Sequence, residues 1–363
     1  MKKRTLSLFL CCAFLLLLLS ACAGGNAGEI AGKVTATQTK EGGGVSAFLV
    51  EPNPATEQKK PVAILISNLT DFLSPLNDLD PLDFVDGLIQ DVAVTVTYNP
   101  ASSSKVTLDG TEVKAYEATE VIITGYRTDK TTTLKDGTTL TLWQYTRATG
   151  YALEDGTELL VCGDTQGPEN TSNAQSDCFE DITPAAQKAV SAYYQEQGPL
   201  YDLPAQLEQA YEAYRQTKDP KAFPYYLAQA VVPTASNDTL LCFQTVVTFP
   251  IDGKTSYEQQ TSAVFDRNTG EQIDITSLFT CPKEELGSRL LDISTVSDPT
   301  LREEMEKAFR PDYIIFFPDC IRLSFPQGTL PSQEHTFLWD IDYKGELSKL
   351  MEPWAIPKAP DKG

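Results

Sequence analysis

The sequence is poor in the residues and motifs on which most enzyme active sites depend. It contains one histidine, His335, with three methionines and three tryptophans in 363 residues. A single histidine excludes zinc sites built from several imidazoles, and neither HExxH nor Gly-x-Ser-x-Gly occurs. Phosphate-binding and dinucleotide-binding glycine motifs are also missing. Any Ser-His-Asp triad would have to use His335, so we expect no catalytic residue and no cofactor.

Beyond the N-terminus the sequence has no long apolar run. At the N-terminus, one short apolar run follows three positively charged residues. The basic residues at positions 2–4 precede residues 6–19, a run of 14 mostly apolar residues that is too short to span a bilayer. Small residues then lead into Cys22. This order is typical of a bacterial lipoprotein signal peptide, in which residues 1–21 are removed and the cysteine carries lipid. An ordinary signal peptide followed by a chance cysteine is the alternative.

Lipid on Cys22 would hold the mature protein on the cell membrane, facing outside the cytoplasm. Residues 22–29 are mostly small and predict a flexible tether between the lipid and the first domain. Without residues 1–21 the chain has 342 residues, with 26 Lys and Arg against 50 Asp and Glu, a formal net charge of −24. So acidic a surface repels nucleic acid and anionic headgroups, and we expect no nucleic-acid partner. A chain of this length suits two domains.

Cysteine use excludes two further kinds of site. No Cys-x-x-Cys pair occurs, so the usual signatures of redox catalysis and of zinc ribbons are missing. Five cysteines follow Cys22 in the mature chain: Cys162, Cys178, Cys242, Cys281 and Cys320. Cys162 and Cys178 flank a polar segment, which favours a local disulfide outside the cytoplasm, and Cys281 with Cys320 is a second candidate. An odd number leaves at least one cysteine free or paired between chains.

Residues 30–162 are rich in β-branched residues and turns, and they predict an all-β domain, either a small barrel or a sandwich. Asp-Gly occurs three times between strand-like runs, at residues 109–110, 136–137 and 155–156. Asp-Gly tolerates the positive φ angles of tight hairpins, so these sites predict antiparallel hairpin turns. One short helix is expected after Asp80 within this domain.

A polar segment, residues 163–182, predicts a linker to a second domain over residues 183–363. Thr183 and the proline after it start a first helix of this domain, and a second helix follows from Pro204. Strands, two helices and three more strands come next, with a last helix over residues 344–351. That order predicts an α+β domain with an antiparallel sheet.

Within the second domain, residues 263–279 have the sequence Ala-Val-Phe-Asp-Arg-Asn-Thr-Gly-Glu-Gln-Ile-Asp-Ile-Thr-Ser-Leu-Phe. The aspartate, the Thr-Gly turn, the short strand and Leu-Phe before a helix resemble a signature of the RsiV-type extracytoplasmic domain. Residues 316–325 resemble the family's later strand and residues 346–350 its terminal helix, so that the resemblance covers residues 183–352. The domain occurs in the lysozyme-binding anti-sigma factor RsiV and beside the catalytic domain of a peptidoglycan deacetylase. The resemblance implies a binding module rather than a catalyst.

Aromatic and acidic residues supply the remaining candidate sites. Trp143 and Tyr145 alternate along a predicted strand and share one face, either packed in the core or exposed as a platform for sugars. Trp339 and Trp354 have the same two interpretations. The densest acidic cluster, within residues 78–86, lacks the spacing of a calcium-binding EF-hand, and we interpret it as helix capping and a solvated face. We therefore expect no metal site.

The sequence as a whole predicts a lipid-anchored envelope protein that acts as a non-enzymatic binding or interaction module. Its partner would be an envelope protein or peptidoglycan, reached while the lipid on Cys22 holds the chain at the membrane. The alternative is a cell-wall glycan hydrolase that uses two carboxylates, or a wall-binding accessory protein. Carboxylates are abundant, but no spacing singles out a catalytic pair.

Overall fold

The computed structural model describes residues 27–40, 43–52, 60–74, 76, 92–170, 177–217, 222–251 and 255–357. The chain divides into two compact units, unit 1 over Met1–Tyr126 and unit 2 over Arg127–Gly363. Cys22, the expected helix after Asp80 and the acidic cluster within residues 78–86 lie outside the described residues. Within the described ranges, no helix is both long enough and apolar enough to cross a membrane.

Unit 1 is built from strands whose pairing order returns to its starting point. The strands are β1 (Gly28–Thr39), β2 (Val45–Pro52), β3 (Val62–Leu65), β4 (Asp71–Leu73), β5 (Val92–Leu108) and β6 (Thr111–Thr133), the last of which continues into unit 2 after residue 126. β1 pairs with β2 and β2 with β3, both antiparallel, and β3 pairs with β6 in parallel. β5 pairs antiparallel with both β6 and β1, so the order closes. β4 is a short parallel neighbour of β6.

The core of unit 1 follows from the alternation of apolar residues along these strands. Phe48, Ile64 and Val96 are completely buried in one cluster, and each has a more exposed neighbour on at least one side in its strand. Since side chains alternate between the two faces of a strand, such a pattern places one face in the core. The β5–β6 hairpin turns at Gly110, where φ is +76°. This is the first of the three turns that Asp-Gly predicts.

Unit 2 combines a long sheet, a small sheet and six helices among its described residues. Its strands are residues 127–133 of β6, β7 (Thr139–Tyr145), β8 (Ala148–Ala152), β9 (Glu158–Gly163), β10 (Tyr225–Ser236), β11 (Leu240–Ile251), β12 (Thr255–Asp266), β13 (Gln272–Ile273), β14 (Ile314–Phe316), β15 (Cys320–Phe325) and β16 (Phe337–Asp342). The helices are α1 (Asp177–Glu180), α2 (Pro184–Gln197), α3 (Leu203–Thr217), α4 (Lys283–Ile293), α5 (Pro299–Ala308) and α6 (Glu346–Leu350). Short 3₁₀ turns lie at Pro168–Asn170, Ile275–Leu278, Pro311–Tyr313 and Pro353–Ala355.

The long sheet of unit 2 carries strands β6 to β13 in chain order, and β14, β15 and β16 form the small sheet. β9 and β10 are parallel, while β7–β8, β8–β9, β10–β11, β11–β12 and β12–β13 are antiparallel. Gly137 and Gly156 have φ of +92° and +86° at the turns before β7 and before β9. These two sites confirm the turn conformation that Asp-Gly predicts.

The long sheet of unit 2 has helices packed on both faces. On one face, α2 buries Val190 and Tyr194 against Phe243 and Phe265, and the Tyr194 and Phe243 rings meet edge to face at 5.7 Å. On the other face, the alternate residue Cys242 packs in a cluster with residues of α4, α5 and the small sheet. Because residues 242 and 243 point to opposite faces, β11 separates the two cores.

The division of the chain falls earlier than the sequence predicts. Residues 127–163 belong to unit 2, because β7, β8 and β9 join its sheet and β9 pairs in parallel with β10. The segment at 163–182, predicted as a linker between domains, contains a 3₁₀ turn, the helix α1 and a bridge from Gln166 to Ala230 of β10. It is therefore an integral connection inside unit 2. The mixed α+β class is confirmed, with strands predominating and most pairs antiparallel.

Candidate functional site

A cleft of about 460 Å³ lies between the end of helix α4 and strand β16 in unit 2. One wall is formed by residues 292–295, which are the last two residues of α4 and the two that follow it. The others are residues 339–342 of β16 and Lys344, Glu346 and Leu347 around the start of α6. A volume of this order falls in the usual range of ligand pockets, about 300–1,000 Å³. The cleft is thus large enough to hold a small molecule or a few residues of a peptide.

Strand β16 presents its open edge to this cleft. It is the last strand of the small sheet and pairs with β15 alone among the described strands. Four consecutive residues of β16, at positions 339–342, line the cleft. Since successive side chains of a strand point to opposite faces, a cavity that touches four in a row must run along the strand's edge. Backbone N–H and C=O groups of that edge are unpaired in the sheet and available to a ligand.

The opposite wall is held in place by hydrogen bonds at the end of α4. Trp339 Nε1 of β16 donates to the Ser294 carbonyl at 2.6 Å, which ties the strand to the helix end. The hydroxyl of Ser294 and Arg302 Nη1 both donate to the Leu291 carbonyl, at 2.9 Å each. Thr295 follows with φ of +61°, a left-handed conformation that is strained for a β-branched residue. These bonds fix the cleft wall in a conformation that the local sequence does not favour.

Charged side chains at the cleft are mostly neutralised by pairing. Three of its four carboxylates lie in ion pairs: Asp292 with Arg302, Asp340 with Arg322 and Glu346 with Lys349. Arg322 donates two hydrogen bonds to Asp340, at 2.7 and 3.0 Å, and lies 4.9 Å from the centre of the Phe317 ring. The bonds to Asp340 raise the pKa of the Arg322 guanidinium. The strand edge and the apolar residues of the cleft are therefore available for recognition of a ligand beside these paired charges.

The cleft also has apolar lining residues. Ile341 and Leu347 are buried, and Trp339 is half-buried with its ring stacked on Phe337 at 5.9 Å. Leu338, between the two aromatic residues, is 42 % exposed and points to the opposite face of β16. An edge strand next to a pocket with an aromatic wall is the usual arrangement for binding an extended peptide.

The candidate aromatic residues differ in exposure and location in the structure. Trp143 is only 3 % exposed, whereas Tyr145 beside it is half-buried. Trp339 lines the cleft, and Trp354 is 42 % exposed in the C-terminal segment. His335 is exposed in the segment before β16. Of these residues the cleft contains Trp339 alone.

The two cysteines proposed for a disulfide have separate partners. Both are free thiols: Cys162 Sγ lies 3.3 Å from the Tyr201 hydroxyl, and Cys178 Sγ accepts a hydrogen bond from Ser236 at 3.2 Å. Cys162 is on β9 and faces the core under α3, while Cys178 is on α1. Cys281 and Cys320, the second candidate pair, are free as well. Nothing in the fold therefore joins either pair.

We expect the thiols of the folded chain to remain reduced, and Cys320 to react only at high pH. Burial, with help from the carboxylates of Asp340 and Asp319, raises the pKa of Cys320 to about 12. A raised thiol pKa lowers the fraction of reactive thiolate at neutral pH. Alkylation of Cys320, followed by mass spectrometry, should still accelerate above about pH 10 in the native chain, while in urea it should level off near the ordinary thiol pKa. A native profile that levels off below pH 9, or a mass gain on reduction, would contradict this expectation.

The remaining described residues offer little for metal chemistry. Among them, no group of three or more His, Cys, Asp or Glu side chains is placed to hold a metal ion. The cleft residues other than Trp339 had no signal in the sequence. Residues 292–295 and 339–347 are far apart in the chain, and their approach depends on how α4 packs on the small sheet.

Comparison with known proteins yields similar structures but no sequence match. No family model matches the chain, and no curated protein matches it. A crystal structure of a DUF3298 family protein from Pseudomonas aeruginosa PAO1 is similar at 15 % identity, over 55 % of this chain and 88 % of that one, with a TM-score of 0.32. A member of the same family from Bacteroides fragilis NCTC 9343 is similar at 12 % identity, over 63 % and 92 % of the chains, with a TM-score of 0.30.

Proposed function

We propose that this chain is a lipid-anchored protein outside the cytoplasm whose role is non-enzymatic binding, and that its cleft takes an extended segment of a partner protein. The observation that carries the proposal is the open edge of β16, which lines the cleft over four consecutive residues. A peptide added along this edge gains main-chain hydrogen bonds and can place side chains against Trp339 and Leu347. Three of the four carboxylates that line the cleft are held in ion pairs, which supports binding rather than catalysis.

The proposal also includes the more specific expectations from the sequence. Lipid on Cys22 anchors the chain, and unit 2 contains an RsiV-type domain over residues 183–352. Unit 1 is a small closed barrel, an interpretation supported by the pairing of β5 with both β1 and β6. A closed order in which β3 and β6 are parallel is the arrangement of small Greek-key barrels called OB folds. Such a unit next to the lipid would act as a spacer or as a second binding domain.

The test of strand addition uses residues 23–363, without signal peptide or lipid, panned against a random peptide display library. We expect enriched peptides to slow amide hydrogen exchange in β16. The substitution Trp339→Ala should weaken their binding about 30-fold, because truncating an aromatic anchor in an interface costs ~2 kcal/mol. Binding constants would be measured by calorimetry at matched temperatures.

The control for this experiment is Leu338→Ala. Leu338 lies next to Trp339 but does not line the cleft, so its loss should change affinity by no more than about twofold. Melting temperatures of both variants would show whether loss of the Trp339–Ser294 bond unfolds the site. Enriched peptides that protect amides elsewhere, or equal effects of the two substitutions, would speak against strand addition at β16.

A further inference from the structure

A row of residues crosses four strands of the long sheet in unit 2, away from the cleft. Trp143 of β7 is opposite Gly150 of β8, Gly150 is opposite Val161 of β9, and Val161 is opposite Tyr226 of β10. Directly opposed residues on neighbouring strands point to the same face. The other face of these strands is the core under α3, which contains Tyr151, Leu160 and Leu227 among others. The row therefore belongs to the sheet face opposite α3, on which Trp143 is 3 % exposed and Tyr226 is 56 % exposed.

Gly150 is in the middle of this row, and side chains of its neighbours fill the space beside it. A Cβ built on Gly150 would lie 2.5 Å from Glu158 Oε1 and 2.8 Å from Cε2 of Tyr145. Both contacts are far ends of side chains that occupy the space a side chain at position 150 would need. Because Gly150 has no side chain, the Glu158 carboxylate and the Tyr145 ring can pack against the backbone of the sheet.

The carboxylate of Glu158 is held in place by Tyr145. The Tyr145 hydroxyl donates a short hydrogen bond to Glu158 Oε1, and its ring is stacked with Trp143 at 6.4 Å. Burial, and next the negative charge of Glu158, raise the pKa of Tyr145. The hydroxyl therefore stays protonated and remains a donor. A carboxylate has two oxygens with about four lone pairs and can accept hydrogen bonds from several donors at once.

Tyr226 ends the row with an exposed ring. It is 56 % exposed, and its hydroxyl is close enough to Glu158 for the carboxylate to raise its pKa, after the larger effect of burial. We propose that this face binds a neutral glycan, with a sugar ring stacked on Tyr226 and sugar hydroxyls donating to Glu158. Sugars combine an apolar C–H face with many hydroxyl donors, which an aromatic ring next to a fixed carboxylate complements.

Charge disfavours the anionic polymers of a cell envelope at this face. The whole sequence has a formal net charge of −21, and Glu158 adds a negative charge at the centre of the face. Anionic polymers are therefore repelled. This face lies on strands β7 to β10 and shares no residue with the cleft, so the proposal is independent of peptide binding at β16.

The test is a titration of residues 23–363 with two neutral probes, cellohexaose and the hexamer of N-acetylglucosamine, followed by NMR or calorimetry. At least one probe should bind with a Kd of about 1 mM or tighter. Tyr226→Ala should weaken this binding about tenfold, while Tyr226→Phe, which keeps the ring, should stay within about twofold. Gly150→Ala should also weaken it about tenfold, because the new methyl group displaces Glu158 and Tyr145 while leaving Tyr226 in place.

Trp354→Ala is the matched control, because Trp354 is also an exposed aromatic residue. Its carbonyl accepts a hydrogen bond from Asn237, which follows the last residue of β10, whereas Tyr226 lies at the start of that strand. The loss of Trp354, and that of Trp339, should leave glycan binding unchanged. The proposal is overturned if neither probe binds at about 10 mM, or if Tyr226→Ala binds as well as the unchanged chain. It is also overturned if spermidine binds in a Tyr226-dependent way and the two glycans do not, since the face would then be a cation site.

Discussion

Replacing Gly270 with alanine is expected to lower the free energy of unfolding of unit 2 by about 3 kcal/mol. Gly270 ends the turn between β12 and β13 with φ of +73°, and a Cβ there would lie 2.5 Å from the carbonyl oxygen of Ala186 in α2. Ala186 is completely buried, so neither the turn nor the helix can move aside without opening the core. The variant combines backbone strain with overpacking, and its melting temperature should fall by about 6–12 °C.

Gly156→Ala separates these two effects. Gly156 also has a positive φ, +86°, but no atom lies within 4 Å of a Cβ built on it. Its substitution should therefore cost only the conformational strain, about 1 kcal/mol. Thermal denaturation of both variants, monitored by circular dichroism, measures the difference. Equal shifts would mean that the close approach of the turn to α2 does not limit stability.

The turn at Gly270 also shows what a local pattern can predict. Asp266 Oδ1 accepts hydrogen bonds from the backbone N–H groups of Asn268 and Thr269, at 2.8 and 2.9 Å, as expected for an aspartate that starts a turn. The same holds for helix α2, where Thr183 accepts from the Ala186 N–H and Gly198 ends the helix with φ of +64°. Such features depend on residues only a few positions apart, so they can be predicted directly from the sequence.

The division into units could not be predicted in this way. Residues 127–163 join unit 2 through the parallel pairing of Tyr225 with Leu160, two residues that are far apart in the sequence and separated by three helices. Parallel pairing needs a long crossover, and nothing in the polar segment at 163–182 distinguishes a crossover from a linker. Asp-Gly predicted the turns at Gly110, Gly137 and Gly156 correctly, but the partner of each strand is a non-local property.

Neither of the two candidate surfaces could be predicted from the sequence, for the same reason. Trp339 was one of several ambiguous aromatic residues, and its place in the cleft follows from the packing of β16 beside the end of α4. Trp143 and Tyr145 do share a face, as their alternation predicts, but Glu158 and Tyr226 come from two other strands. A sheet collects residues across strands, so a site on its face appears only when the strand order is known.

Replacing Cys22 with serine is expected to abolish acylation of the chain completely. If Cys22 carries lipid, the thioether through which the acyl chains are attached cannot form on a hydroxyl-bearing serine. Burial of acyl chains contributes ~0.8 kcal/mol per CH₂ group, and two chains are enough for stable anchoring. Cells labelled with radioactive palmitate should show acylated protein in the membrane fraction for the unchanged chain and no label for Cys22→Ser.

Cys12→Ser is the matched control, because Cys12 lies inside the apolar run that is removed with the signal peptide. It should be acylated and processed like the unchanged chain. Membrane association alone does not decide the question, since an uncleaved signal peptide could also hold the chain through its apolar run. The deciding measurements are the acyl label and the mass of the N-terminal peptide, which should begin with lipidated Cys22. Label retained in Cys22→Ser would mean that the lipid is attached to another residue. No label on the unchanged chain, with an N-terminus at a residue other than Cys22, would favour the ordinary signal peptide.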